Sequence, residues 1–148
     1  MRLDVEFDAS QFAELGDRLE KAAREVLAEM AQAQLVNIRL RVDAGKGLDD
    51  QQMPGYAKST REDRQKRGRQ VARRDLQDSG SMLNAMIVES IVATDTGLEA
   101  TLGFATREDA AKAAYNQERA PWFGVSPDDE QLLMALADQR LKEKANDR

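Results

Sequence analysis

From Phe12 to Val42 apolar residues recur at helical spacing, and no proline interrupts them. Phe12, Leu15, Leu19, Ala22 or Ala23, Val26 and Met30 form one stripe; Leu27, Ala31, Leu35, Ile38 and Val42 form a second that takes over from it. Residues three and four apart share one face of a helix, so the pattern predicts a single helix of about 30 residues. Gly16 weakens it, and Gly45 and Gly47 stop it. At 1.5 Å rise per residue such a helix is roughly 45 Å long. A compact domain of this length is roughly 38 Å across. The helix is therefore as long as the globule is wide, or longer. Either it kinks and stays within one subunit, or part of its apolar stripe, with Leu35 and Ile38 as the candidates, faces another subunit.

The remaining segments read as follows. "RLDVEF" alternates, with Leu3, Val5 and Phe7 on one side, and predicts a short strand; Asp8 or Ser10 is placed to cap the long helix. Residues 43–56 form a loop rich in Gly, Asp and Gln. "LQDSGSMLNAM" predicts a turn and a short helix capped by Ser79 or Ser81, with Met82, Leu83 and Met86 inward. Residues 87–104 predict a β-hairpin that turns at Asp95, Thr96 and Gly97, with Leu98, Ala100, Leu102 and Phe104 on one side. A helix over 106–117 opens with a Thr106–Asp109 capping box. The last helix, 126–145, has Ser126 as N-cap, Pro127 at its first position and acids Asp128 and Asp129 at its positive end. Leu132, Leu133, Leu136 and Leu141 are its expected inner stripe. The fold class predicted is α+β: a long N-terminal helix, a small antiparallel β-sheet with a hairpin, and helices packed on one face, in a single domain over residues 1–148.

Composition removes most chemistry. The chain has no Cys and no His, so disulfides, thiolate catalysis, Cys-based metal sites and the usual neutral-pH general base are excluded. No catalytic constellation, cofactor motif or metal-ligand spacing is present, and we expect a non-enzyme without cofactors. Asp49–Asp50 reads as a solvated loop and Asp128–Asp129 as a helix start. "GKGLDD" lacks the strand and helix that a phosphate loop requires. The N-terminus has no apolar run of the signal-peptide kind, and no segment is long enough to span a membrane, so a soluble cytoplasmic chain is expected.

One segment stands out electrostatically. Between Lys58 and Arg74 lie eight basic residues against Glu62 and Asp63, a local +6, while the rest of the chain carries −11 of the net −5. Apolar content there is low, which predicts a solvated helix or a flexible basic arm within about 43–75, starting near Thr60. Arg61, Arg64, Lys66, Arg67, Arg69, Arg73 and Arg74 are its candidate docking residues. They suit an acidic protein partner, including another copy of this chain. Nucleic-acid phosphates are the alternative, although no aromatic residue interleaves the run to stack on bases.

The order of parts then resembles a known family. "GYAKSTREDRQKRG" precedes "RDLQDSGSMLNAMI"; a hairpin, "KAAYNQERAPWFGVSPDDEQLL" and an amphipathic C-terminal helix follow. This is similar to the phage virion-morphogenesis or tail-completion family, including Mu-type members and related head–tail joining proteins. The matching residues are Ser59, Thr60, Leu76, Ser79, Gly80, Leu83, Tyr115, Gln117, Arg119, Pro121, Phe123, Gly124, Ser126 and Asp129. The resemblance implies a structural neck component of the virion, assembled in the host cytoplasm as a homo-oligomeric ring, a hexamer in the family. The ring would sit at the head-proximal end of the tail, contact tail-tube or tail-terminator and head–tail connector proteins, and promote head–tail joining. DNA would pass through its lumen unread, and no membrane would be involved.

Within that pattern, Arg119 to Gly124 is expected to be a short extended crossing between two helices. Pro121 fixes its backbone and Gly124 lets it turn into the Ser126 cap. Neighbours on an extended segment point to opposite sides. Trp122 and Phe123 should therefore serve one the core and the other a neighbour, with Arg119 beside them as a further interface residue. The plainer expectation is that both rings belong to the core.

Overall fold

The computed structural model describes residues 2–6, 16–95 and 97–146, and for residues 2–6 and 16–19 the backbone alone. In chain order the elements are β1 (Arg2–Glu6), α1 (Gly16–Asp43), α2 (Lys58–Lys66), α3 (Ser81–Asn84), β2 (Met86–Ala93), β3 (Gly97–Phe104), α4 (Arg107–Arg119) and α5 (Pro127–Asn146). The fold is α+β, with a long helix near the N-terminus and helices packed against an antiparallel sheet.

The sheet has three strands in the order β1-β3-β2, so the hairpin's second arm is central. Leu3 pairs with Ala100 on one side of β3, and Val88 pairs with Leu102 on the other. The β2 register slips between Val88 and Ser90, leaving Glu89 as an extra residue. Its side chain lies over Gly103, in the space a Cβ there would occupy. Along β3, Leu98, Ala100 and Leu102 are buried, as the alternation predicts.

Two apolar clusters hold the molecule together. In the first, Ala23, Val26, Leu27, Met30 and Ala31 of α1 meet Leu98, Ala100 and Leu102 of β3 and Leu133 of α5. In the second, Ile38 and Val42 of α1 meet Met53, Met82, Leu83, Met86, Ala113, Ala120 and Trp122. One helix thus serves both clusters, each with its own half of the stripe. Helix α5 runs back along α1: Lys144 pairs with Glu25, Arg140 with Glu29, and Asp129 with Arg41.

The end of α1 is built by Gly45. Its φ of +77° is left-handed. The Lys46 N–H reaches the Arg41 carbonyl at 3.0 Å, and the Gly45 N–H reaches that of Val42 at 2.8 Å. This is the Schellman ending, and it satisfies carbonyls that the last turn would otherwise leave open.

Some expectations fall on residues that are not described, and others change. The proposed caps Asp8 and Ser10, the stripe residues Phe12 and Leu15, the side chains of Leu3, Val5, Phe7 and Leu19, and the turn residue Thr96 lie outside what is described. Helix α2 starts at Lys58, two residues before the expected Thr60, and has no side-chain cap. The short helix α3 follows Gly80, which is left-handed, while the Ser79 hydroxyl accepts the Ser81 N–H. Leu132 does not join the inner stripe of α5; it is exposed, because the helix turns Leu133 and Asp129 inward instead.

Candidate functional site

The crossing from α4 to α5 is held in place by side chains from several elements. Trp122 is fully enclosed, and its indole N–H donates to the Ala113 carbonyl at 3.3 Å. Phe123 is half-buried and packs against both clusters. The two rings do not diverge. Their centroids are 5.4 Å apart, and both pack on Phe104, at 6.2 and 4.9 Å. The chain bends at Phe123 and Gly124, so the alternation of a regular extended segment does not apply.

An irregular segment in the interior must have its backbone polar groups satisfied from elsewhere. Here the four carbonyls from Pro121 to Gly124 each have a named donor. The Leu48 N–H donates to Pro121 O at 2.9 Å, and Arg41 Nη1 to Trp122 O at 2.8 Å. Gln117 Nε2 donates to Phe123 O at 3.3 Å, and Gln34 Nε2 to Gly124 O at 2.8 Å. Gln117 Oε1 accepts the N–H of both Trp122 and Phe123. The anchor is the buried Arg41–Asp129 ion pair, at 3.0 Å. Asp129 Oδ2 also accepts Gln34 Nε2 and the Ser126 N–H, while the Ser126 hydroxyl accepts the Asp129 N–H. That reciprocal pair is a capping box, so one carboxylate both starts α5 and neutralises Arg41.

The basic segment is likewise tied down. Its hub is Tyr56, Arg64 and Asp75. The Tyr56 hydroxyl donates to Asp75 Oδ1 at 3.0 Å and accepts the N–H groups of Asp75 and Leu76. Arg64 is buried, lies 4.4 Å from the Tyr56 ring centroid, and donates to Asp75, Gln70 O and Gln77 O. Burial pushes the Tyr56 hydroxyl pKa up, so it stays a protonated donor. Leu76 has a φ of +57°, held by the bond from its N–H to that hydroxyl. The expected helix is α2, and the chain on either side of it wraps around this tyrosine.

Of the arginines expected to dock partners, Arg64 is therefore a structural residue. Arg67 is held between Asp63 and Asp78, Arg73 donates to the Asp43 carbonyl, and Arg74 donates to the Pro54 carbonyl. Lys58, Arg61, Lys66 and Arg69 are exposed and have no ion-pair partner among the described residues. The expected interface residues divide similarly. Ile38 and Trp122 are enclosed by their own chain, and Leu35 packs against both clusters. Arg119 is exposed, stacked 3.4 Å from the Tyr115 ring centroid.

Of the apolar side chains left in solvent, Val36, Leu40 and Met134 lie outside the expected stripes, whereas Leu132 was expected within one. Val36 and Leu40, one turn apart on α1, are 55% and 66% exposed. Leu132 and Met134 on α5 are 59% and 63% exposed. Among the described residues no group of three or more carboxylates is placed to hold a metal ion, and every buried side-chain polar atom has a hydrogen-bond partner. No helix is long and apolar enough to cross a membrane among the described residues. Gln34 and Arg41 escaped the sequence reading, although both fall in register with Leu27, Ala31 and Ile38. Polar residues recurring inside an apolar stripe were the signal. Comparison with protein-family models, with curated proteins and with solved structures finds no match for this chain.

Proposed function

We propose that this chain is a structural virion subunit of a tailed phage or prophage, not an enzyme. It self-associates into a ring at the head-proximal end of the tail, in the neck of the particle, and promotes head–tail joining. It is assembled in the host cytoplasm without a cofactor, against tail-tube or terminator and connector proteins. The observation that carries self-association is the exposed Val36–Leu40 pair on a helix whose other apolar side chains, among the described residues, are buried or half-buried. Burying the part of these two side chains that is still exposed contributes about 2–4 kcal/mol. The neck assignment rests on the residue pattern. Gln117, Pro121, Phe123, Gly124, Ser126 and Asp129, which carry the resemblance, belong to one interlocked crossing. That interlocking supports the reading of a scaffold that presents outer surfaces.

Nucleic-acid binding by the basic segment has less support, since Arg64, Arg67, Arg73 and Arg74 are engaged internally. The experiment is a joining assay. Tails made without this protein should fail to join filled heads, and adding the purified chain should restore joining. Joining that is indifferent to the chain removes the neck assignment.

A further inference from the structure

The unneutralised cations suggest where one copy meets the next. Lys58, Arg61, Lys66 and Arg69 lie on or just after α2, and Glu62, exposed beside them, has no ion-pair partner among the described residues. Elsewhere a groove of about 520 Å³ runs between the 47–54 loop and the crossing. Leu48, Met53, Pro54, Pro121 and Pro127 give it an apolar lining, and these include all three prolines of the chain. Its walls are stiff. The Leu48 N–H is bonded to the Pro121 carbonyl, and a Cβ on Gly47 would come within 2.9 Å of that carbonyl.

Three carboxylates lie at one end of the groove or next in sequence to residues that line it: Asp49, Asp50 and Asp128. Asp49 lines it, and Asp50 accepts the N–H of Asp128, next to Pro127, at 3.0 Å. Burial raises the Asp50 pKa, but its bonds to Asp128 and Ser126, with Arg41 and Lys46 nearby, more than offset that and hold the carboxyl below its usual range. Arg119 also lines the groove, but its guanidinium is stacked on Tyr115 and donates to the Tyr115 carbonyl.

We propose that the basic face of α2 on one copy docks into this groove on a second copy. Lysine and arginine carry long methylene stems and a charged head, so they suit an apolar floor with carboxylates at one end. The opposed charges steer the approach and fix the register, and they disfavour pairing like patches. This deepens the self-association reading by naming two surfaces that meet, in addition to the Val36–Leu40 strip.

The test uses the full chain and light-scattering mass at low and high salt. One variant carries Lys58→Glu, Arg61→Glu, Lys66→Glu and Arg69→Glu; a second carries Asp49→Lys and Asp128→Lys. Each alone should associate at least tenfold more weakly than wild type, and an equimolar mixture should regain association, because each variant then finds its opposite. Asp50 is left intact because it holds the Asp128 N–H. If the lysine variant does not fold by circular dichroism, Asp49→Asn with Asp128→Asn should show the same weakening, in smaller degree. Two folded variants that associate like wild type, or a mixture that stays apart, overturn the docking and leave the strip in place. A wild type that is monomeric at every concentration, alone and with tails, removes both. Binding of duplex DNA by wild type that the glutamate variant loses would assign the face to nucleic acid and overturn docking.

Discussion

Arg41 and Asp129, 88 residues apart in sequence, form a buried ion pair at 3.0 Å that joins the C-terminal end of the long helix to the start of the last one. Around it the crossing takes its shape, because the same guanidinium holds the Trp122 and Gly124 carbonyls. Removing one partner leaves a buried charge without compensation, which costs about 3–5 kcal/mol. Asp129→Ala should lose stability on that scale in urea unfolding. Arg41→Met with Asp129→Leu should lose less than the sum of the two single changes. Strict additivity would mean that the two side chains do not act as a pair.

Trp122→Ala should cost about 3–5 kcal/mol of folding stability, the range for emptying a fully enclosed aromatic site. Phe123→Ala, at a half-buried position, should cost less. Thermal melts of the two variants decide the matter. A Trp122→Ala chain that melts like wild type yet fails to assemble would return this ring to an interface.

Gly45→Ala should destabilise by about 1–2 kcal/mol, the cost of a left-handed backbone with a Cβ. The new methyl would also meet Gln52 Oε1 at 2.9 Å and the Arg73 Cβ at 3.0 Å. Chemical denaturation measures this directly, and an unchanged midpoint would refute the Schellman ending.

Asp109 gives a pH prediction. The Thr106 hydroxyl, and after it the Ser81 hydroxyl, hold its carboxyl below the usual range. A folded pKa below the unfolded value of about 3.9 contributes stability above that pH and loses it as pH falls through the folded value. The gap in melting temperature between wild type and Asp109→Asn should therefore be widest above about pH 5 and narrow below about 3.9. A gap that is constant across that window would contradict the assignment.

The parts of this fold that depend on period were legible in the sequence. Ile38 and Val42 sit where the stripe puts them, and Leu98, Ala100 and Leu102 alternate inward as a half-buried strand must. The Ser126 and Thr106 caps follow from local chemistry. The basic segment was not legible, because it is held by a phenol, a guanidinium and a carboxylate. Hydrophobic periodicity is blind to such a hub: Tyr56 and Asp75 lie outside the helix they anchor. The rings of Trp122 and Phe123 converge because a bend at Gly124 breaks the alternation. Val36 and Leu40 were passed over because a stripe drawn through the core residues excludes whatever lies on the far side of the helix.

The central claim is that a single folded copy leaves apolar surface at Val36 and Leu40 for another copy to cover. The most direct measurement is the mass of the purified chain in solution, across concentration and with tails added, for wild type and for Val36→Ser with Leu40→Ser. The account predicts that wild type reaches a multiple of the single-chain mass, while the double variant stays folded and monomeric. A wild type that remains a single chain even when bound into finished particles, or a double variant that assembles as wild type does, would contradict it.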